Sequence, residues 1–351
     1  MKIKKILTMA MALALTIGIS TGINGCAIES QAKEPDTITM VWYPNESGGD
    51  LADARNEMGK AIEAATGKKV EHKLTTDYAV AIESIANGTG AIAFMGAQGY
   101  IEANTKNKKV LPLVVASGKS GTLDDAVYYS WLAVTKDNAA KYKKDGKYQI
   151  DNIEGKSMSF VSNSSTSGFK IPTTAMISYF SKKDKWKDIK VEDLMEGGSN
   201  KFFKEVLYGG SHQGSGVNLL TGKSDVAAFC DTTLINYVAA VDGKFNDAGT
   251  TYKVKSDAAE PFNTLVGKEF TAITSTPVLN SPFVVNTEVL SDNTIKKIKE
   301  YLISDKVTNN EKIFVPKGSD VKGILTKEDK EKFLDVEDTW FDPIRKLSKA
   351  H

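Results

Sequence analysis

The stretch "TITMVWYPNESGGDLADARNEMGKAIEAATGKKVEHKLTT", Thr37 to Thr76, decides the fold class. Its first eight residues are rich in β-branched and aromatic side chains and stop at Pro44, which reads as a strand ending in the turn "NESGG". Helical spacing then runs from Leu51 to Gly67, where a glycine stands at the C-cap. "KKVEHKLTT" alternates like a strand, "AVAIESIANG" has helical spacing again, and "AIAFMG" reads as a short buried strand. A chain that begins β-α-β-α-β predicts a mostly parallel sheet covered by helices, an α/β fold.

Working outward, "VLPLVVASG" and "YYSWLAVTK" add strands, and a second round of the same logic begins after about residue 135. It contains a strand ("KSMSFVSN"), a loop and helix ("STSGFKIPTTAMISYF"), a strand ("KEVLYGG"), a short helix ("SGVNLLTGKS") and a strand ("DVAAFCDT"). "FTAITSTPVLNSPFVVN" reads as an extended crossing with turns at its prolines, and "SDNTIKKIKEYLISD" and "TKEDKEKFLDVEDTWFDPIRKL" as charged amphipathic helices packing back on the first domain. The expected organisation is two α/β lobes joined by two extended crossings. Lobe 1 takes residues 37–127 and 277–351, lobe 2 takes 128–276, and the crossings lie near 127–136 and 271–286. Ligands of such sheets bind outside the carboxyl ends of the strands. "NESGG", "SNSSTSG" and "GGSHQGSG" all sit at such ends.

The first residues, "MKIKKILTMAMALALTIGISTGINGC", place three lysines before an apolar run that ends in small residues, which is a secretory signal peptide over 1–25. Ile23-Asn24-Gly25-Cys26 resembles the lipobox of bacterial lipoproteins, which implies lipid on Cys26 and extracytoplasmic anchoring to the cell membrane, with 26–36 as a polar tether. Without 1–25 the chain carries 42 basic and 44 acidic residues, and Arg55 and Arg345 are its only arginines. This balance excludes nucleic acid as the expected partner. Lipidation of Cys26 would leave Cys230 single and unable to form an internal disulfide; it reads as a small buried hydrophobe. His72, His212 and His351 are too few and too scattered for a zinc cluster, so no metal and no organic cofactor is expected.

"SNSSTSGFKIP", Ser162 to Pro172, puts five hydroxyl side chains into six residues just where a helix begins. One hydroxyl suffices for a helix cap. The surplus fits an anion site, where hydroxyls and free backbone N–H groups meet the positive end of a helix. These residues, with "TTDYAVAIESIANGTGAIAFMG", "VYYSWLAVTK" and "GGSHQG", resemble the phosphonate, phosphite and phosphate substrate-binding proteins of ABC importers, a branch of the type II periplasmic binding proteins, over roughly residues 37 to 345.

The resemblance implies that Ser165, Thr166 and Ser167 donate to the oxyanion, that Gly168 lets the backbone approach, and that His212 donates to a second oxygen. It implies that Tyr78 and Tyr128 donate from the opposite lobe; strand alternation keeps Tyr128 and Tyr129 from both facing the cleft. Glu46 and Ser47 line the correct sheet end with weaker support. Family members that take aminoalkyl phosphonates carry carboxylates where Thr232 and Ser281 stand here, with Asp231 one residue away as a further ligand-facing group. The expected ligand is therefore a small oxyanion without an ammonium: phosphate, phosphite or a simple alkyl phosphonate. The expected partners are a permease and its ATPase, the expected state is a monomer, and the expected role is capture rather than catalysis. No G-x-S-x-G, H-E-x-x-H or P-loop motif is present, which disfavours a hydrolase. A sensor domain of the same fold, or a binder of a larger phosphorylated or sulfonated metabolite, are the competing readings.

Overall fold

The computed structural model describes residues 34–347. The signal peptide, Cys26, most of the expected tether and His351 lie outside the described residues. The Glu34 carboxylate accepts from Ser291 N–H at 2.9 Å and from the Thr294 hydroxyl at 3.1 Å. Among the described residues no helix is long and apolar enough to cross a membrane.

The opening β-α-β-α-β pattern forms as its periodicity predicts. Strand Thr37–Trp42 lies parallel to Lys69–Leu74 on one side and to Ile92–Phe94 on the other, with helices Ala52–Thr66 and Tyr78–Ala86 as the crossovers. Both faces of the first strand are buried, so its side chains divide between two apolar clusters. Ile38, Met40 and Trp42 pack with Met58 and Ile62, while Val41 packs with Ala81 and Ile85. Gly67 closes the first helix in the left-handed region at φ 72°, and its N–H donates to Glu63 O at 2.7 Å. A Cβ at that φ would be strained.

This first sheet has six strands, in the order Phe333–Leu334, Val110–Ala116, Pro282–Asn286, Ile92–Phe94, Thr37–Trp42, Lys69–Leu74. Strand Pro282–Asn286 is antiparallel to both of its neighbours. A second sheet has seven strands, in the order Val238–Asp242, Thr251–Val254, Glu269–Leu279, Val127–Thr135, Val226–Cys230, Ser157–Phe160, Glu205–Tyr208. The chain passes from one sheet to the other at 117–126 and again at 280–281.

Strands Val127–Thr135 and Glu269–Leu279 pair antiparallel, from Phe270 opposite Thr135 to Leu279 opposite Val127. Pro277 therefore stays in the ladder, opposite Tyr129, instead of making the turn expected there. Pairing of its other edge with Thr251–Val254 ends at Thr271, so no ladder bond is lost for want of its N–H. The bend falls at Asn280–Ser281.

The helix expected over "TKEDKEKFLDVEDTWFDPIRKL" forms only at its end, Asp342–Leu347. Upstream, Glu331 turns its carboxylate onto the N–H groups of Glu328 and Asp329 at 3.0 and 2.7 Å, and Phe333 is fully buried as a strand beside Ala116. A side chain that binds nearby backbone donors competes with helix formation. Helix Asp292–Ile303 forms as expected, capped by Ser291 and buried through Ile298 and Leu302.

Candidate functional site

A cavity of about 770 Å³ lies between the two sheets. The first residues of four helices, or the residues just before them, line it: Tyr78, Gly96, the Ser165–Ser167 run, and His212. Each helix start carries N–H groups without a partner inside the helix, and the positive end of the helix dipole.

The hydroxyl loop follows strand Ser157–Phe160, and its three central side chains do three different things. Ser165 is the cap, its Oγ accepting from Gly168 N–H at 3.1 Å. The first turn is wound wide, with Lys170 N–H reaching back to Ser165 O at 3.0 Å. Such five-residue spacing occurs mainly as single turns, often at functional sites. Thr166 crosses to the first sheet, its Oγ1 accepting from Gln98 N–H at 2.9 Å at the start of helix Ala97–Lys106. Ser167 is buried and its Oγ has no protein partner, while its carbonyl accepts from Ser130 Oγ at 2.6 Å. Ser165 and Thr166 only accept in these bonds, so each keeps a hydroxyl proton to donate. Gly168 does not line the cavity; a Cβ there would come within 2.5 Å of Val161, so its small size serves packing under the loop.

His212 opens helix His212–Leu220, which Ser211 caps at Gly214 N–H, 2.9 Å. Its Nδ1 accepts from Cys230 N–H at 3.1 Å. A neutral imidazole whose Nδ1 accepts carries its proton on Nε2. Burial holds the ring neutral by pushing its pKa down to about 3. His212 is therefore an uncharged donor.

Asn45, which sequence reasoning did not single out, ties the walls together. Its Oδ1 accepts from His212 N–H at 3.0 Å, its Nδ2 donates to the Tyr78 hydroxyl at 2.6 Å, and its carbonyl accepts from Gln213 Nε2 at 2.8 Å. Tyr78 accepts in that bond and keeps its proton to donate. Burial raises its pKa well above the ordinary phenol range, and its ring stacks on Tyr43 at 4.0 Å.

Tyr128 and Tyr129 both line the cavity, against the expectation that only one would, and Tyr128 stands on the second sheet with the strand that leads into the hydroxyl loop rather than on the opposite side. Tyr128 is buried among residues of both sheets, and Tyr129 packs against the cluster around Trp131 and Phe229. Asp231 also lines the cavity. Its Oδ1 accepts from Tyr129 N–H and Thr232 N–H, both at 2.8 Å, and its Oδ2 accepts from Asn246 Nδ2 at 2.9 Å. Burial pushes its pKa up to about 6. Thr232 and Ser281 are on the wall as well. Ser47 is not: its hydroxyl lies 2.8 Å from Tyr43 O and 3.1 Å from Thr75 O, within the turn. Cys230 lines the wall as an inert thiol, its pKa pushed up to about 12 by burial.

Among the described residues, three that line this cavity carry a buried side-chain oxygen without a protein partner: Ser167 Oγ, Tyr43 Oη and Glu46 Oε2. Arg55 acts on Glu46 and donates to the carbonyls of Glu46 and Gly48. Among the described residues no group of three or more His, Cys, Asp or Glu is placed to hold a metal.

Such a cavity calls for a ligand that accepts hydrogen bonds in several directions. The family model described as "ABC transporter, phosphonate, periplasmic substrate-binding protein" matches residues 40–341. The chain belongs to this family. Members are extracytoplasmic binding components of importers. A phosphate-import protein, PhnD, of Mycolicibacterium smegmatis is 27% identical over 231 residues, a match that spans 65% of this chain and 65% of that protein. The binding component of an ABC phosphonate transporter from Pseudomonas aeruginosa shares the fold with a TM-score of 0.61, at 19% identity over 90% of this chain and 86% of its own. PhnD1 of Prochlorococcus marinus, solved with methylphosphonate, has a TM-score of 0.60 at 15% identity, covering 90% and 97% of the two chains. The two-sheet α/β architecture is that of the type II periplasmic binding proteins, as the resemblance implied.

Proposed function

We propose that this chain is the solute receptor of an ABC importer and captures a small phosphorus oxyanion, phosphate, phosphite or a simple alkyl phosphonate, in the cavity between its sheets. The observation that carries the reading is the meeting of four helix starts with neutral donors, among them a buried Ser167 hydroxyl that no protein group uses. A tetrahedral anion has acceptor oxygens pointing in several directions, and hydrogen bonds to a charged acceptor are about twice as strong as neutral ones. Ser165, Thr166, Ser167, His212, Tyr78 and Tyr128 are the proposed donors.

An ammonium-bearing ligand fits poorly. Asp231 is already held by three N–H donors, and the other two wall positions are hydroxyls, Thr232 and Ser281. Hydrolysis by a Ser–His pair fits no better. With Nδ1 occupied by Cys230 N–H, the proton sits on Nε2, the atom that would have to take one from a serine. The size of the cavity keeps a second reading alive, in which a larger phosphorylated or sulfonated metabolite extends toward Lys119, Lys244 and Lys317 at its outer end. In either case the sheets would act as two lobes that close on the ligand, and permease and ATPase would engage the closed form of a monomer. The lipobox-like run makes Cys26 the proposed lipid anchor, and Cys26→Ala would move the protein from the membrane to the soluble fraction.

The deciding measurement is thermal unfolding of residues 27–351 in phosphate-free buffer with phosphate, phosphite, methylphosphonate, 2-aminoethylphosphonate, sulfate and a sugar phosphate. A ligand at 100 times its Kd stabilises by about 2.7 kcal/mol. The expected result is a shift with a small phosphorus oxyanion that falls to about a third, roughly 0.9 kcal/mol, in Ser167→Ala. A shift with the sugar phosphate alone establishes the larger-ligand reading, and one with 2-aminoethylphosphonate alone overturns the argument from Asp231.

A further inference from the structure

Glu46 ends the short helical turn Pro44–Glu46 that follows the first strand. It is an anomaly in a cavity built for anions. The residue is buried, lines the cavity, and leaves Oε2 without a partner. A carboxyl that served only the turn would have both oxygens bound within it. Instead one oxygen is left free, and Glu46 shares the cavity lining with Tyr43 and Ser167, which also carry an unpartnered oxygen.

Burial outweighs the three groups that favour an ionised Glu46, namely its own backbone N–H, Arg55 and the Asn45 side chain. Tyr43 on its own turn, Tyr78 at the start of the next helix, Tyr237 and His212 are all held in their neutral forms by burial. Asp50, bound by the Tyr237 hydroxyl at 2.8 Å and 3.9 Å from Lys322, and Glu102, bound by Ser164 Oγ at 2.7 Å, add negative charge. Arg55 acts on Glu46 from the adjoining helix, and its Nη1 is directed at two carbonyls. Burial accordingly pushes the Glu46 pKa up to about 8. A carboxylate beside a bound oxyanion would repel it, whereas a carboxylic acid offers it an O–H.

We infer that Glu46 contacts the bound oxyanion in its protonated form, donating its O–H to the ligand, so that capture in alkaline medium takes up one proton from solvent onto the Glu46 carboxylate. This rests on the oxyanion reading above and adds to it a proton-linked specificity residue. Affinity falls as pH rises through the range in which Glu46 ionises, and ligands are held best where the carboxyl is already neutral.

The test measures Kd for methylphosphonate and for inorganic phosphate from pH 6.5 to 9 in the wild type, Glu46→Gln and Ser167→Ala. The ratio of wild-type to Glu46→Gln Kd cancels the ligand's own titration. With a pKa of about 8 that ratio rises about tenfold by pH 9. Calorimetry at pH 8.5 in two buffers of different ionisation enthalpy should show proton uptake by the wild type beyond that of Glu46→Gln. A flat ratio, or a Glu46→Gln defect of the same size at every pH, overturns the inference while a Ser167→Ala defect keeps the oxyanion function standing. Failure of both probes to bind at any pH overturns both readings.

Discussion

The two walls of the cavity carry opposite liabilities. On the second-sheet wall, His212 is buried as a neutral base; on the first-sheet wall, Glu46 is buried as a neutral acid. The second wall is built from a cap, a wide turn and a short helix whose local bonds run to neighbours close in sequence or to an adjacent strand, with Thr166 and His212 also tied across the cavity. The first wall is held from afar, since Asn45 reaches Tyr78 and the N–H of His212. The difference teaches that donors can be fixed locally, whereas the charge state of the cavity is set by groups brought together only by the fold.

The contrast breaks most visibly in the ligand-free protein. The folded pKa of Glu46 is raised to about 8 from an ordinary 4.5, so between those values the folded state binds more protons and stability falls as pH rises. At one pKa unit per roughly 1.4 kcal/mol, Glu46→Gln should stabilise the apo protein by up to about 3 kcal/mol at pH 7 and by little near pH 5, as read by denaturant unfolding. A gain that does not grow with pH would show that Glu46 is not held as an acid.

On the other wall the slope reverses. The folded pKa of His212 is depressed to about 3 from 6.5, so protons enter the unfolded state first and stability is lost as pH falls below 6.5. The loss attributable to His212 should reach about 2 kcal/mol at pH 5 and vanish in His212→Gln, measured by melting across that interval. Ser167→Ala sharpens the comparison within the second wall. Its buried, unpartnered hydroxyl should matter for the ligand alone, weakening affinity by about 2 kcal/mol, roughly 30-fold, with the apo melting temperature unchanged or slightly higher. Ser165→Ala has the smallest expected effect, removing a cap and lowering apo stability by about 1 kcal/mol, beside whatever affinity it loses. Equal apo losses for the two serines would erase the distinction drawn between them.

The βαβαβ opening was legible because both periodicities are strong there and Gly67 marks the first helix end. The hydroxyl run and His212 were legible because surplus donors at a helix start have few other uses. Asn45 was hidden in "PNESGG", a stretch whose composition says only turn; its partners lie on helices that start at Tyr78 and His212. Of the two residues the sequence does point to there, Glu46 lines the cavity, whereas the Ser47 hydroxyl turns inward to backbone carbonyls. The C-terminal error had a similar source. "TKEDKEKFLD" has helical composition, and nothing local announces that Glu331 will bind backbone N–H groups or that Phe333 will extend the first sheet.

The Gln98–Thr166 and His212–Asn45 bonds each join residues on opposite sides of the cavity. Any motion that draws the sheets apart must break both, and in doing so pulls Thr166 and His212 away from the first wall together. A receptor wired this way has no bound-but-open intermediate with its full set of donors. Prising it apart at the transporter would empty it in the same stroke, and delivery would need no trigger beyond the opening itself.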